Sequence, residues 1–538
     1  MTDTVLGLPF LPVFPPLLAI TMVILTRKVL LSLGVGIVTA ALVVAELDVP
    51  GALRLVAESF AGIFWADGGV NTWNVYIIAF LLILGVLAAF ILMSGGSRAF
   101  GRWAMERVST RRGSQLLAAA LGIVIFIDDY FNALAVGQVA KPVTDRNRVS
   151  RAKLAYIIDS TSAPVCVVAP FSSWGASIIG IIAPILLAAG MSEVTAFQAF
   201  VAMMPMNYYV WTALAMVFAV AVLRVDVGPM RREEVRALAA GRPFDPAKTI
   251  PGELSADLPV HRPGSISAMV VPFVALVAGV VGAIVWTGHT RSGSWDLIEI
   301  FANTLVTESL VVGGLLGLGA ALVYYAKDTR SNERFGSGTF RDGWVQGVRS
   351  MLPAVYILVL AWMTVALIEQ LGTGEYLAGL VSDAGLEPRF LIPTMFVVAS
   401  LMAFATGTSW GSFGILLPIA GQIMTEVGSA ELLLPALAAV LGGAVVGDHV
   451  SPISDTTILS STGAGANLMD HVLTQLPYAL AAATAALAGY VVLAVSGSTW
   501  LGLLAALAGV AALVAAARAV RPPVEEHPEV VESVRVTA

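Results

Sequence analysis

Runs of roughly twenty apolar residues recur along this chain of 538, each long enough to cross the ~30 Å hydrocarbon core of a bilayer. No feature constrains the fold more, because backbone polar groups at membrane depth must be satisfied within the protein itself. The chain therefore reads as an all-α polytopic membrane protein, and a composition that is 57% hydrophobic and 12% charged agrees. The net charge of -6 says less than the places where basic residues fall. One cysteine, Cys166, excludes an intramolecular disulfide and, among apolar neighbours, reads as a small buried hydrophobe. The first apolar run, 6–26, ends in Arg27-Lys28 instead of beginning with positive charge, so it is read as a span and not as a cleavable signal.

Arg and Lys gather at 27–28, 98–112, 141–153, 224–262, 327–349 and from 518 onward, and the positive-inside rule makes these places cytoplasmic. Span 6–26 then runs inward, 29–46 outward and 73–93 inward again. About 28 residues lie between Arg112 and Lys141, whereas two full crossings need roughly 40. A single crossing would leave the second basic cluster outside. A re-entrant hairpin entering from the cytoplasm, with "FIDDYFNAL" near its tip, restores the parity. The apolar stretch 154–190 is too long for one span and is interrupted at "DSTSAP", where Pro164 removes a donor and disfavours helical geometry at Ala163, so a discontinuous helix is expected. Span 196–223 returns inside.

The second half repeats the plan from the opposite side. Spans 266–286, 301–325 and 351–370 precede a second hairpin, 390–426, with "ATGTSWGSFG" at its tip. A second broken helix, 432–466, is interrupted at "GDHVSPISDTT"; spans 472–495 and 500–520 follow. The fold expected is thus a pair of inverted repeats, each with three spans, a re-entrant hairpin, a discontinuous helix and a further span, plus one extra C-terminal span. Scaffold spans occupy 1–95 and 266–388, and the transport core is 96–223 and 389–497. The remainder is a cytoplasmic loop at 224–265, the extra span at 498–520 and a disordered cytoplasmic tail at 521–538. Inverted repeats with paired helix breaks point to a transport site near the bilayer midplane.

The breaks carry the polar residues. The first hairpin offers Asp128, Asp129 and Asn132, and the first broken helix Asp159, Ser160, Thr161 and Ser162. The second hairpin supplies Thr406, Thr408 and Ser409, and the second broken helix Asp448, His449, Ser451, Ser454, Asp455, Thr456 and Thr457. This set is dominated by hard oxygen donors, which suit a small alkali cation better than a soft metal. An ionised Asp at depth costs at least ~2.5 kcal/mol, less when it holds a proton or a cation. Burial and a second nearby carboxylate both favour the protonated form. A site that takes sodium or protons, and is poorly stable with neither, is the physical core of an antiporter.

Plainer roles stand beside these. Asp128 and Asp455 can be helix caps, Ser160, Thr161 and Ser162 can bond back to their own helix, and Asp448 with His449 can form a solvated pair at a cytoplasmic mouth. Trp174 and Trp410 read as packing residues at the hairpin–helix junctions. Glu308 and Glu369 are lone carboxylates in or near spans, with proton-path and helix-end readings both open.

"FIDDYFNALAVG", "DSTSAPV", "SSWGAS", "GTSWGSFG" and "GDHVSPISDTTILSSTGAG" resemble signature stretches of the NhaC family of sodium/proton antiporters, over roughly 29–495. The resemblance, which extends to the broader ion-transporter superfamily, implies a mobile transport domain beside a dimerising scaffold, and so an elevator-like movement and a homodimer. Relatives also include exchangers that couple sodium and protons to organic acids such as malate and lactate.

The expected function is a secondary active sodium/proton antiporter of a bacterial inner membrane, with its N-terminus outside and its C-terminus cytoplasmic. Sodium would sit at a subset of the breaks, with Asp128, Asp129, Asp159, Asp448 and Asp455 favoured. Its partners are small cations and membrane lipids, with no nucleic acid and no cofactor beyond the transported Na+ and H+. The rival is a sodium- and proton-coupled organic-acid exchanger, although none of the four breaks contains an Arg or Lys to clamp an anion, a role that helix N-termini can fill only in part. An enzyme built on Asp128-Asp129 and His449 is disfavoured, because adjacent helical residues point about 100° apart. A channel fits paired inverted breaks less well than a carrier does.

Overall fold

The computed structural model describes residues 10–527 apart from 27, 67, 127, 171, 192, 251–257, 263, 374, 375, 377–386, 427 and 428. Arg27 of the first basic cluster and the tail from 528 onward lie outside the described residues. Among the described residues nine helices are long and apolar enough to cross a membrane, and the only strands are the paired Trp65–Ala66 and Gly69–Val70. The chain is an all-helical, multi-pass membrane protein.

Thr72–Met93 packs against both Val306–Thr329 and Ser337–Gln370, and Ser267–Ser292 lies along Val306–Thr329. Small residues let these backbones approach. A Cβ added at Gly85 would meet the carbonyl oxygen of Gly347, and one at Gly313 would meet Val280 and the backbone of Leu276.

The region of the first hairpin is two helices, Arg111–Val124 and Asp129–Arg146. Thr110 caps the first through the Gly113 amide at 3.0 Å, and the chain leaves helical geometry at Ile125. Asp128 is extended and caps the second by accepting from the Phe131 amide at 3.0 Å, which fixes where helix resumes. In the stretch 154–190 two interruptions occur where one was expected. Arg151–Asp159 stops before Ser160, and Pro164 sits in the first turn of Ala163–Cys166, where its missing amide proton is no loss. A second break follows, because Ser172 caps a new helix, Ser173–Ala188, through the Gly175 amide at 2.8 Å.

In the second half Pro388–Thr406 ends at Gly407, whose φ of +74° suits glycine. Ser409–Glu426 then begins, and Leu433–Val450 and Asp455–Ala464 flank the stretch at Ser451–Ser454. The two halves meet backbone to backbone: a Cβ at Gly137 would strike Gly463, and one at Gly463 would strike the Ala133 carbonyl. Cys166 is fully buried, its thiol 3.3 Å from the Phe126 carbonyl oxygen.

Helices also arise in stretches read as connections, among them Val49–Phe64, Gly228–Ala239 and Leu297–Asn303. The second has a physical reason, since its buried Glu234 bonds Arg111 and, at 2.8 Å, the Ser150 amide, with Lys153 3.6 Å away. The start of the tail, read as part of a disordered end, instead forms the turn Val524–Glu526, with Val524 buried against Val235.

Candidate cation site

Asp129 opens the helix after the first break and is 3% exposed. Its Oδ1 accepts from Trp174 Nε1 at 2.8 Å, and its buried Oδ2 has no hydrogen-bond partner among the described residues. One turn on, Asn132 is fully buried. Its Nδ2 donates to the carbonyls of Gly122 (2.6 Å), Ile125 (2.7 Å) and Thr161 (3.3 Å), so the amide nitrogen is fixed by three acceptors, and Oδ1 has no partner among the described residues. Asp128 serves as the helix cap.

The second break gathers hydroxyls around Asp448. Ser409 Oγ donates to its Oδ2 at 2.7 Å, while Ser454 and, at 3.2 Å, Thr456 reach Oδ1. Ser454 also caps Asp455–Ala464, so the positive end of that helix lies among Asp448 and Asp455. Asp455 accepts from the Tyr130 hydroxyl and from the Thr456 amide.

Asp159 is the most fully bonded of the five. It accepts from His471 Nε2 at 3.0 Å, Gln475 Nε2 at 2.8 Å, Ser460 Oγ at 3.1 Å and Thr457 Oγ1 at 3.3 Å. His449 Nε2 lies 4.0 Å from it; the His449 ring shares hydrogen bonds with Ser160 Oγ at 3.1 Å and Tyr209 Oη at 2.6 Å. His449 is 3% exposed and lies in this buried network.

Several candidates spend their hydroxyls on backbone groups, most of them within their own helix. Thr161 bonds the Ile157 carbonyl, Ser162 that of Asp159, Thr406 that of Met402 and Ser451 that of Phe404; Thr408 Oγ1 accepts from the Trp410 amide. Conversely, His471, Gln475, Ser460, Tyr130 and Tyr209 escaped the sequence reading. His471 and Gln475 carry a legible signal, two polar residues four apart on the apolar helix Leu468–Ser496.

Two adjoining cavities meet this network. One, of about 230 Å³, is lined by Asp128, Asp129, Trp174 and Glu308 among others; the second, of about 380 Å³, by Asp455, Trp362, Glu369 and Thr408. Trp73, Tyr130, Ser177 and Trp410 border both. Trp174 and Trp410 do pack together, ring centres 5.1 Å apart, and both also face cavity. Among the described residues lining either cavity there is no Lys or Arg. Among the described residues no group of three or more His, Cys, Asp and Glu is placed to hold a metal ion, so any cation here is met by mixed carboxyl, amide, hydroxyl and carbonyl oxygens.

Residues 165–495 match the Na+/H+ antiporter family. The chain is 43% identical over 495 residues to an uncharacterized protein of Haemophilus influenzae, covering 91% of each. It is 34% identical over 199 residues to the arginine/ornithine antiporter ArcD of Halobacterium salinarum, spanning 34% of this chain and 39% of that protein. It is 36% identical over 186 residues to the malate-2H+/Na+-lactate antiporter of Bacillus subtilis, spanning 32% and 34% respectively. The likeness read from the motifs and the match over the second break agree: the chain belongs to the Na+/H+ antiporter family, of the NhaC type, and is a transporter, not an enzyme.

Proposed function

We propose that this protein is a secondary active sodium/proton antiporter in which cation and proton compete for buried aspartates by alternating access. One observation carries the reading: two buried acceptor oxygens, Asp129 Oδ2 and Asn132 Oδ1, lie within one helical turn of a break and lack partners among the described residues. Residues i and i+3 share a helix face, and hard oxygens on one face suit an alkali cation. A buried carboxylate with neither proton nor cation is costly, so loss of one ligand favours capture of the other. Asp128, Asp159, Asp448 and Asp455 extend the same network, and Ser409, Ser454 and Thr456 supply hydroxyl oxygens beside it.

The finer architecture belongs to the same proposal. Two inverted repeats place re-entrant hairpins and broken helices in a core, 96–223 and 389–497, that moves in an elevator-like way against scaffold spans in a homodimer. The backbone contact at Gly137 and Gly463 supports a single core, because it ties the first hairpin to the second broken helix. The N-terminus lies outside and the C-terminus in the cytoplasm of a bacterial inner membrane. An organic-acid exchanger is the second reading, favoured by the partial likeness to the malate/lactate antiporter; the lack of a Lys or Arg among the described cavity-lining residues counts against it.

Everted vesicles acidified by respiration and loaded with a pH-sensitive dye test the proposal. Sodium should collapse the gradient with wild type and fail to do so with Asp129→Asn. If wild type responds only when malate or lactate is supplied, the organic-acid reading replaces this one.

A further inference from the structure

The cavity of about 230 Å³ beside Asp129 is larger than a sodium ion requires, and its walls have an unusual chemistry for an inorganic cation alone. Its charged groups, among the described residues, are the carboxyls of Asp128, Asp129 and Glu308; its other walls include the rings of Trp73, Trp174, Trp410 and Tyr130. Asp129 is 97% removed from solvent, yet one of its oxygens has no partner among the described residues. That oxygen is itself closed off by protein, so Asp129 acts on the chamber through its carboxyl charge. The rings pack on one another: Trp73 with Tyr130 at 6.3 Å and Trp174 with Trp410 at 5.1 Å, which gives the walls fixed apolar surfaces.

An inorganic cation needs a tight shell of oxygens and gains nothing from wide apolar walls. An organic anion would need a positive group, and the described lining has no Lys or Arg. A neutral solute would gain nothing from the three acidic side chains of the lining. An organic ammonium ion answers every feature at once: its charge meets the acidic side chains and the aromatic faces favourably, and its hydrocarbon body fills the apolar volume toward the adjoining cavity. We propose that this aromatic chamber binds an alkylammonium ion, its charge held at the acidic wall of Asp129 and Glu308 and its body flanked by Trp73 and Trp410. The inference goes beyond sodium/proton exchange and rests on the chamber itself.

Calorimetry on the purified full-length protein in sodium-free potassium buffer tests it, using butylammonium, the uncharged 1-butanol and lactate as probes. Butylammonium should bind, and 1-butanol and lactate should give no heat of binding. Asp129→Asn should abolish the butylammonium signal, and Trp73→Leu should weaken it roughly tenfold through loss of a ring face. Equal binding of butylammonium and 1-butanol overturns the proposal, as does binding of lactate alone or of no probe. The wild-type probe comparison needs no variant to fold. Failure here is also separate from failure of the vesicle assay, because one reads amine binding without sodium and the other sodium-driven proton movement without amine.

Discussion

His471 Nε2 stands 3.0 Å from Asp159 Oδ2, with both side chains essentially out of contact with solvent. The pair joins the helix Leu468–Ser496 to the end of Arg151–Asp159, and Gln475, one turn along from His471, reaches the same oxygen at 2.8 Å. A carboxyl held by donors from another helix is a joint whose loss affects both partners. His471→Leu should lower stability by about 1–3 kcal/mol, the cost of leaving a buried acceptor short of a donor. Thermal melting of the purified protein reads this directly; a melting curve unchanged from wild type would mean that the contact carries no stability.

The neighbouring aspartates of the first break are expected to separate by role. Asp128→Ser keeps an oxygen that can cap the Phe131 amide, so fold and sodium response should survive with modest loss. Asp129→Ser removes the unpartnered carboxyl oxygen and should abolish the response. Comparable losses in vesicle dequenching for both variants would instead make both carboxylates ligands.

Competition between sodium and protons has a definite sign. A proton on Asp129 removes the charge that holds sodium, so sodium affinity should fall as pH falls. If one proton competes with one sodium, the apparent half-saturating sodium concentration rises about tenfold per pH unit while that proton binds. Initial exchange rates against sodium at several pH values provide the slope, and a half-saturation independent of pH would separate the two ions' sites.

Gly137 and Gly463 admit no side chain where the two halves touch. Gly463→Val would drive methyl groups into the Ala133 carbonyl and the backbone beside it, with overpacking of about 1–3 kcal/mol or more. Reduced yield of monodisperse protein and a lower melting temperature are expected. Wild-type behaviour in size-exclusion chromatography and melting would show that the helices can part without cost.

Away from the candidate site, buried Glu234 bonds Arg111 and the Ser150 amide beside Lys153, which itself pairs with Asp226. Glu234→Leu strips one anion from this enclosed cluster and should destabilise the protein by about 3–5 kcal/mol. Paired measurement with Asp226→Asn in a double-mutant cycle tests whether the two carboxylates act as one network; strict additivity would deny it.

Much of this protein was legible because the bilayer makes apolar length so informative. Thr72–Met93 and Thr499–Val520 are seen in sequence as uninterrupted oily runs, and the helix breaks announce themselves through Pro164, Gly407 and the Ser-Asp pair Ser454-Asp455. The amphipathic helices Val49–Phe64 and Gly228–Ala239 were harder to see, since neither is an apolar run and the second gains its order from Arg111 and Lys153, far away in the chain.

The sequence by itself determined that the chain spans a membrane, that helices break at 160–162 and near 451–454, and that these breaks are rich in oxygen donors, because lipid thickness and backbone hydrogen bonding impose those patterns locally; the second interruption before Ser172 was not legible. Only the tertiary structure decided which donors are already occupied. Asp159 receives His471 and Gln475, Thr161 turns back to its own helix, and Asp129 and Asn132 each retain a buried oxygen without a partner among the described residues. That distinction depends on neighbours hundreds of residues away, and hydrogen-bond satisfaction is a property of the packed site and not of the residue type.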